Sequence, residues 1–251
     1  LLFDSIKGYP KGYRVVTLAL GTVRRIALAL GFPEMTETRD LVTFWREKLK
    51  AGVKPIPPVE VKTGPIKENV QMGDEVDLYK FPVPKWHIGD GGRYIGTGDM
   101  VIMRDPDEGW VNLGTYRMQV HNQDKTKAMI WISPGHHARL IREKYWAQGK
   151  GCPTAVVCGS EPLLFYAAGN PEPWGSCEYD YAGWLKNRPI EVTKGVYTDL
   201  PIPAYAEIVL EGEVMPPEVD STDEGPFGEW TGYYASNVRP EATFRVKAVL
   251  H

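Results

Sequence analysis

Residues 110–120 read WVNLGTYRMQV, a strong strand pattern rich in aromatic, β-branched and long apolar residues. A second strand pattern follows at residues 128–132, and Ser133 and Pro134 then provide an N-cap and a first helical residue. The helix that they begin is predicted to run to about Gln148. This succession predicts a sheet with packed helices and argues against a helical bundle.

The chain on both sides repeats this mixture of short strands and helices. Further strand patterns lie at residues 14–20, which are expected to be buried, and at 100–103, 154–158, 190–197, 205–214 and 242–250. Further helical patterns lie at residues 22–30, 38–50, 162–168 and from Ser176 to Pro189, and residues 55–58 predict a linker. We expect an α+β fold with an N-terminal α/β segment over residues 1–70 and a split, partly open β-barrel with flanking helices over residues 71–251.

Composition and charge exclude several classes of protein. The 251 residues carry a formal net charge of −3, so no overall basic charge points to nucleic acid or to an anionic membrane. No apolar run approaches the roughly 20 residues that a membrane-spanning helix needs, and no signal-peptide pattern begins the chain. Three cysteines, an odd and sparse number, predict reduced thiols and a cytoplasmic location.

The two ends of the sequence predict a fragment of a longer protein. The chain does not begin with Met, and residues 243–251 alternate like a strand that no turn signal ends. We therefore expect the natural chain to continue beyond His251.

Residues 86–98, WHIGDGGRYIGTG, are dense in glycine. The spacing of these glycines matches neither a dinucleotide-binding nor a P-loop fingerprint, and no long helical pattern follows them. We interpret the stretch as a turn that leads into the strand at residues 100–103, and we expect a structural role for His87.

Residues 223–234, DEGPFGEWTGYY, which we call the acid loop, hold candidates for proton transfer. Pro226 and the glycines exclude a helix interior and predict a tight loop in which Gly228 permits the close approach of a neighbouring segment. Glu229 stands among aromatic residues, and burial there would raise its carboxyl pKa toward the range useful for proton donation. A surface turn with solvated glutamates is the alternative. The aromatic neighbours are Phe227, Trp230, Tyr233 and Tyr234.

Two polar residues of the strand at 110–120 are candidates for binding. Asn112 and Arg117 would lie on opposite faces of a regular strand, and a bulge at Gly114 would bring them to one side. An ordinary surface arginine on a half-exposed strand is the alternative.

Two helix starts carry further candidates. His136 and His137 fall in the first turn of the helix after Ser133, where the helix dipole favours the neutral imidazole that binds metals and where free N–H groups suit a phosphate. A pair of partly exposed histidines is the alternative. Glu178 falls in the first turn of the helix after Ser176, where spacing alone favours a solvent-facing partner of the helix dipole.

Five segments together resemble the UbiD family of reversible decarboxylases, which use prenylated FMN. The segments are NLGTYR at 112–117, SPGHH at 133–137, CEYDYAG at 177–183, AEIVLEG at 206–212 and EGPFGE at 224–229. The resemblance covers essentially the whole chain. Family members are considerably longer, with a C-terminal domain that mediates oligomerisation, and this agrees with the expectation of a fragment.

The resemblance implies roles for individual residues. Arg117 would orient the substrate carboxylate between two acids, Glu224 and Glu229, of which Glu229 would donate the proton. Asn112, His137 and Glu178 would hold a divalent metal, usually manganese, against the cofactor phosphate. The implied cofactor-binding positions are Asn112, Thr115, Tyr116, Arg117, Ile130, Trp131, Ile132, His136, His137 and Glu178. His136 departs from the glutamine often found there, and a lysine that the family uses on the phosphate would lie beyond the present sequence.

The implied activity is the reversible, non-oxidative decarboxylation of an aromatic or α,β-unsaturated carboxylic acid. It implies prenylated FMN and Mn²⁺ or another divalent cation as cofactors, and it allows K⁺ as well. The full-length protein would be a homo-oligomer through its C-terminal domain. Two alternatives remain open: a flavin- or metal-binding subunit without its own chemistry, and a flavin reductase-like split barrel that moves a hydride from a nicotinamide.

Overall fold

A large antiparallel sheet dominates the protein, for which a computed structural model describes residues 1–34 and 36–251. The strands are β1 (Leu2–Phe3), β2 (Val15–Val16), β3 (Val59–Glu60), β4 (Val70–Met72), β5 (Arg93–Gly96), β6 (Asp99–Arg104), β7 (Val111–Gly114), β8 (Met118–Val120), β9 (Lys127–Ile130), β10 (Cys152–Cys158), β11 (Glu191–Lys194), β12 (Pro201–Pro203), β13 (Ile208–Val214), β14 (Ser221–Glu224) and β15 (Arg239–Leu250). The helices are α1 (Val23–Ala29), α2 (Thr38–Lys50), α3 (His137–Trp146), α4 (Pro162–Ala168) and α5 (Glu178–Lys186).

The main sheet has ten strands and is built around β15. Its order is β5-β8-β9-β15-β13-β10-β6-β7, and β4 and β14 also pair with β15. The 12 residues of β15 are long enough to pair with β9 and β14 near one end and with β13 and β4 toward the other. Two small sheets, β1-β2 and β12-β11-β3, accompany it.

Both faces of the main sheet are buried, each in its own apolar core. Along β6, Met100 and Ile102 pack with helices α1, α4 and α5, whereas Val101 and Met103 point to the opposite face. On that opposite face, residues of β6 and β8, which lie far apart in the strand order, meet in one cluster with α3. The sheet therefore curls into a half-barrel with helices on its outer face, a mixed α/β architecture.

Several predicted elements are confirmed. Thr22 caps α1 by accepting a hydrogen bond from the backbone N–H of Arg25 at 3.3 Å, and α2 covers the predicted residues 38–50. Helix α4 matches the prediction at both ends. Three further features agree in outline: β10, β13 and β15 lie within or around the predicted strands.

The predicted buried strand at residues 14–20 is wrong. Only Val15–Val16 form a strand, Val16 is 60% exposed, and Leu18 is 71% exposed. Leu18 has a positive φ of 55°, and its carbonyl accepts a hydrogen bond from Gly21, so the apolar run ends in a turn.

The single strand predicted at residues 110–120 is in fact two strands, β7 and β8. Strand β7 pairs with β6, whereas β8 pairs with β5 and β9 on the other arm of the curled sheet. Residues 115–117 connect the two arms. The hydrogen-bonding partner changes there although the apolar pattern continues. The bulge predicted at Gly114, which was expected to bring Asn112 and Arg117 to one side, is replaced by this break: Asn112 lies in β7 and lines a cleft, whereas Arg117 lies in the connection and does not.

Helix α3 begins at His137, later than Ser133 and Pro134 predict. Gly135 has a φ of 84°, and the backbone N–H of His136 turns back to the carbonyl of Ser133, so these residues form a turn before the helix. His136 becomes the N-cap residue, without a capping hydrogen bond from its side chain.

Across the described residues, no helix is both long and apolar enough to cross a bilayer. The three cysteines are free thiols, as expected.

Candidate active site

The connection between β7 and β8 carries Arg117, whose guanidinium binds two acids of the acid loop. Its Nε and Nη2 donate to the two carboxylate oxygens of Glu224 at 2.8 and 2.9 Å, a bidentate pair. Its Nη1 lies 3.4 Å from Oε1 of Glu229. The structure therefore brings all three predicted catalytic side chains together, with Arg117 between the acids.

Glu224 is the buried member of this group. It is fully buried at the end of β14, and its Oε1 also accepts a hydrogen bond from the Tyr94 hydroxyl at 3.0 Å. The side-chain carbonyl of Gln119 lies 2.9 Å from the same hydroxyl and accepts from the backbone N–H of Gly225 at 2.8 Å. Burial, followed by the charge of Glu224, raises the pKa of Tyr94, so this phenol remains a hydrogen-bond donor.

Two aromatic rings cover the guanidinium. The centre of the Arg117 guanidinium lies 4.9 Å from the Trp131 ring and 5.1 Å from the Phe227 ring. The guanidinium thus stands in a partly desolvated position, where its hydrogen bonds to carboxylates are stronger than in water.

Glu229 is not enclosed by aromatic residues as predicted. Trp230 is 93% exposed and Tyr233 is 59% exposed, while the Glu229 side chain itself is 29% exposed. The loop does have the predicted close approach, because a Cβ on Gly228 would lie 2.5 Å from Nδ1 of His87. Glu229 is therefore reachable from solvent, whereas Glu224 is not.

A cleft of about 420 Å³ opens on the other side of the connection between β7 and β8. Its wall comes from β7, the connection itself, the start of α3, the turn after α4, and α5. It gathers six of the predicted cofactor- and metal-binding residues: Asn112, Thr115, Tyr116, His136, His137 and Glu178. Among the other lining residues are Gly169, Asn170 and Glu172.

Glu178 faces this cleft and not solvent, so the interpretation favoured by spacing is wrong. It is 3% exposed, and its Oε2 accepts a hydrogen bond from the backbone N–H of Leu113 at 2.7 Å. Burial raises the pKa of this carboxyl to about 8, although the bond from Leu113 acts in the opposite direction. No ion pair to Glu178 is present in the described part of the chain.

Asn112 and His137 complete the candidate metal-binding set. Asn112 is 2% exposed, and its Nδ2 has no hydrogen-bond partner in residues 1–34 and 36–251. Burial, followed by the neighbouring His136, lowers the pKa of His137 and favours its neutral form. His137 packs between Trp110 and Trp174, with ring centres 5.7 and 5.2 Å away.

These residues fit a hard divalent cation. They offer a carboxylate, an amide and a neutral imidazole beside an open cleft, and a buried carboxylate without a cation is otherwise costly. Within the residues described, no group of three or more His, Cys, Asp or Glu side chains is arranged around a metal position. The candidate set contains only two side chains of those types, since its third member is an asparagine.

The predicted cofactor-binding positions at residues 130–132, at the end of β9 and just after it, are divided between two environments. Trp131 contacts Arg117, and its backbone N–H donates to the Arg117 carbonyl at 3.2 Å. Ile130 and Ile132 are 0% and 1% exposed and belong to the core on the concave face. The structure does not bring the side chains of these two isoleucines to the cleft.

Tyr94, Gln119 and Ser236 are site residues that the sequence did not indicate. Ser236 accepts from Nη2 of Arg117 at 3.3 Å, and the other two support Glu224. They come from three separate segments, so no local spacing connects them.

Comparison with known proteins identifies the family. The UbiD family model, described as the 3-octaprenyl-4-hydroxybenzoate carboxy-lyase Rift-related domain, matches residues 58–251, and the model of the N-terminal domain of the same family matches residues 1–45. The chain belongs to the UbiD family. It is 38% identical to pyrrole-2-carboxylic acid decarboxylase of Pseudomonas aeruginosa, over 99% of this chain and 50% of that protein.

Two solved structures share the fold over the whole chain. Vanillic acid decarboxylase of Sedimentibacter hydroxybenzoicus in closed form is 34% identical, with a TM-score of 0.89 over 100% of this chain and 52% of that one. An evolved dimeric form of the UbiD-class enzyme HmfF of Pelotomaculum thermopropionicum in complex with prFMN is 33% identical, with a TM-score of 0.87 over 100% of this chain and 55% of that one. The chain thus spans about half the length of these relatives.

Because Arg117 and Glu224 form a buried ion pair, we expect substitutions of the two residues to have non-additive effects on the free energy of unfolding. Replacing Arg117 with Met leaves the Glu224 carboxylate buried without its cation, which should lower the free energy of unfolding by about 3–5 kcal/mol. The double variant Arg117→Met/Glu224→Gln should recover at least about 1 kcal/mol of that loss, measured by urea unfolding. Arg139→Met, which removes an exposed ion pair with Glu143, is the matched control and should cost about 1 kcal/mol or less. Equal stability of the single and double variants would contradict a coupled buried pair.

Asp99, at the start of β6, is a further buried carboxyl, and it lies beside Tyr116 in the connection between β7 and β8. It is 2% exposed, and its Oδ2 has no hydrogen-bond partner in the part of the chain that the structure describes. Burial raises its pKa to about 8, against the lowering effect of backbone hydrogen bonds from Asp99 and Tyr116.

Because of Asp99, we expect the free energy of unfolding to fall as the pH rises. Its pKa is about 8 in the folded protein. The ordinary pKa in an unfolded chain is about 3.9, so the folded state holds the extra proton and its contribution to stability is lost between those two values. Relative to the wild type, Asp99→Asn should gain up to about 1.4 kcal/mol of unfolding free energy per pH unit across this window. Urea unfolding from pH 5 to 8 measures the gain, and the exposed Asp74→Asn serves as control. A constant difference at every pH would contradict the elevated pKa.

Proposed function

We propose that the full-length protein is a reversible, non-oxidative decarboxylase of an aromatic or α,β-unsaturated carboxylic acid that uses prenylated FMN. The observation that carries this proposal is the guanidinium of Arg117 held between two acids. The carboxylate oxygens of Glu224 accept hydrogen bonds from Nε and Nη2 of Arg117 at 2.8 and 2.9 Å, and Oε1 of Glu229 lies 3.4 Å from Nη1. The names of the relatives, a pyrrole-2-carboxylic acid and a vanillic acid decarboxylase, favour an aromatic acid.

The two acids would have different tasks because their surroundings differ. Glu224 is fully buried and bound by two groups of Arg117, so it fixes the guanidinium in one orientation. The Nη1 edge, which makes only the long contact with Glu229, is then left to orient the substrate carboxylate. Glu229 keeps a path to solvent and would deliver a proton to the carbon that loses CO₂.

Loss of CO₂ leaves an electron pair on carbon that must be stabilised until a proton arrives. The prenylated flavin, when bound, supplies the electron sink for that pair. The protein's contribution is position: Arg117 holds the carboxylate, Trp131 and Phe227 restrict water around the guanidinium, and Glu229 supplies the proton. In the carboxylation direction Glu229 would accept the proton instead.

The cleft beside the connection is the proposed cofactor site. Asn112, His137 and Glu178 would hold a divalent cation such as Mn²⁺, and the cation would neutralise a cofactor phosphate. K⁺ would be a second ion at this site. Rotation of the Asn112 amide exchanges its nitrogen and oxygen and turns the oxygen toward the cleft. Support comes from the buried Glu178 carboxylate, which lacks an ion pair among the described residues. The HmfF structure with prFMN is consistent with this cofactor.

The proposed organisation follows the sequence. Residues 1–70 would form an N-terminal α/β segment, and residues 71–251 would form the prenylated-FMN-binding split barrel. We further propose that the full-length protein is a homo-oligomer through a C-terminal region. The evolved dimeric HmfF is one relative described as an oligomer.

Glu229→Gln should abolish turnover and leave the flavin bound. Glutamine keeps the size of the side chain but has no acidic proton, and loss of general acid catalysis lowers the rate by roughly 10²–10⁴-fold. Two quantities are measured in the full-length protein reconstituted with prenylated FMN, on a panel of aromatic and unsaturated acids. They are the release of CO₂ and the H/D exchange at the product carbon that carried the carboxylate.

The matched control is Glu218→Gln, which changes the same residue type at an exposed position outside the cofactor cleft. It should retain activity within about threefold, as expected for a residue without a catalytic contact. Full activity of Glu229→Gln would refute the assignment. A wild-type protein that binds flavin and releases no CO₂ from any acid would favour the cofactor-binding subunit, and flavin bleaching by NAD(P)H would favour the reductase.

Glu178→Ala should weaken binding of the divalent cation. Loss of a carboxylate ligand removes the only anionic side chain of the proposed set, so the Kd for Mn²⁺ should rise at least about tenfold. Electron paramagnetic resonance of free Mn²⁺ in a titration of the full-length protein measures this without reference to activity. Glu218→Ala, at an exposed position outside the cleft, should change the Kd by less than about threefold. Equal effects of both variants would contradict the assignment of Glu178.

A further inference from the structure

The glycine-dense stretch, specifically its part at residues 86–92, lies directly against the acid loop. The backbone N–H of Gly91 donates to the carbonyl of Pro226 at 2.8 Å, and the N–H of Gly89 donates to the Tyr234 hydroxyl at 3.0 Å. The two segments are in contact although they lie far apart in the sequence; Gly89 and Tyr234, for example, are separated by 145 residues.

The glycines in this stretch are required by packing. A Cβ on Gly89 would lie 2.6 Å from the Tyr234 hydroxyl, and one on Gly92 would lie 2.5 Å from Nε2 of Gln119. A Cβ on Gly91 would collide with the carbonyl of Gly225. None of the three has a positive φ, so each glycine permits a close approach and no unusual backbone conformation is involved. Gly89 and Gly91 are therefore required by contact with the acid loop, and Gly92 by contact with Gln119 of β8.

Asp90 is the polar centre of this contact. Its side chain is fully buried, its Oδ1 accepts from the backbone N–H of Gly228 at 2.8 Å, and its Oδ2 accepts from the backbone N–H of His87 at 2.8 Å. The His87 ring lies beside it, with Nδ1 3.6 Å from Oδ1. One buried carboxylate therefore ties the residue immediately before Glu229 to the turn at residues 87–90.

Glu229 depends on such support because its own contacts are few. Its side chain is 29% exposed and makes one long bond, at 3.4 Å, to Arg117. Its backbone N–H donates to the Tyr233 carbonyl at 2.8 Å, but that bond lies within the acid loop itself. Glu224, in contrast, lies in a strand of the main sheet and is bound by Arg117 and Tyr94.

We propose that Asp90 is a positioning residue for the reaction: through its hydrogen bond to Gly228 it fixes Glu229 at the distance from Arg117 that proton transfer requires. The inference rests on the proposed function, in which Glu229 donates the proton. A displacement of about 1 Å in such a group is enough to cost on the order of 100-fold in rate. Binding of the acid and of the flavin depends on Arg117 and on the cleft, and neither contacts Asp90.

Asp90→Ala in the full-length protein with prenylated FMN tests this inference. The kcat for decarboxylation should fall about 10- to 100-fold, while KM for the acid and the flavin content change by less than about threefold. Hydrogen exchange of the Gly228 amide should become faster, because its acceptor is lost. Asp90→Asn keeps one acceptor oxygen for Gly228 and should recover at least half of the lost activity on a logarithmic scale.

Asp77→Ala is the matched control. Asp77 also accepts a hydrogen bond from a backbone N–H, that of Tyr79 at 2.9 Å, but this turn does not contact the acid loop. The control should lower stability without changing kcat or the exchange of Gly228. A kcat that falls equally in both variants would reduce Asp90 to a merely structural role and overturn the inference.

A second pair of variants covers the case in which Asp90→Ala does not fold. Gly228→Ala places its Cβ 2.5 Å from Nδ1 of His87 and should displace the acid loop, so kcat should fall. His87→Ala/Gly228→Ala removes the obstruction and should restore most of that loss. Wild-type kcat in Gly228→Ala, or no recovery in the double variant, overturns the inference. An inactive wild-type protein overturns the proposed function as well, whereas an active wild type with an unaffected Asp90→Ala overturns the inference alone.

Discussion

The buried pairing of Arg117 with Glu224 is the interaction on which the candidate site depends. A carboxylate with no exposed surface is costly unless a cation and hydrogen-bond donors compensate for lost hydration. Both are present, since two nitrogens of Arg117 and the hydroxyl of Tyr94 reach its oxygens at 2.8–3.0 Å. The guanidinium therefore has one stable orientation, and that orientation leaves its remaining edge toward Glu229.

The fold could be predicted where the signals were local. Helices α1, α2 and α4 followed from caps, apolar spacing and terminal glycines, and the prediction of sheet plus helices was correct. The break between β7 and β8 could not be found, because the apolar pattern continues while the paired strand changes from β6 to β9. The start of α3 was misplaced because the capping signal of Ser133 and Pro134 was overridden by a turn at Gly135. Pairing and turn conformation are tertiary properties that spacing does not report.

The site was predictable mainly through the family resemblance. Residue chemistry alone predicted the acid loop and the close approach at Gly228. It wrongly predicted that Glu178 faces solvent and that Glu229 is enclosed by aromatic rings. Both errors have one cause, since the burial of a side chain is decided by segments remote in sequence. The backbone N–H of Leu113 binds Glu178, and Trp230 is almost fully exposed to solvent. Asp90 and Tyr94 lie in the glycine-dense stretch and Gln119 in the strand pattern at 110–120, but neither pattern indicates their roles, which follow only from their contacts.

The connection between β7 and β8 has a further consequence. Thr115 and Tyr116 line the proposed cofactor cleft, and the next residue, Arg117, holds the acids. Both ends of this span are fixed by strand pairing, Gly114 to Val101 and Met118 to Ile130. The cleft and the acid pair therefore share one three-residue connection, and neither is joined to the sheet by a separate flexible linker of its own. An insertion or deletion in residues 115–117 would displace Arg117 from the cleft residues, so the length of this connection is itself a constraint on the site.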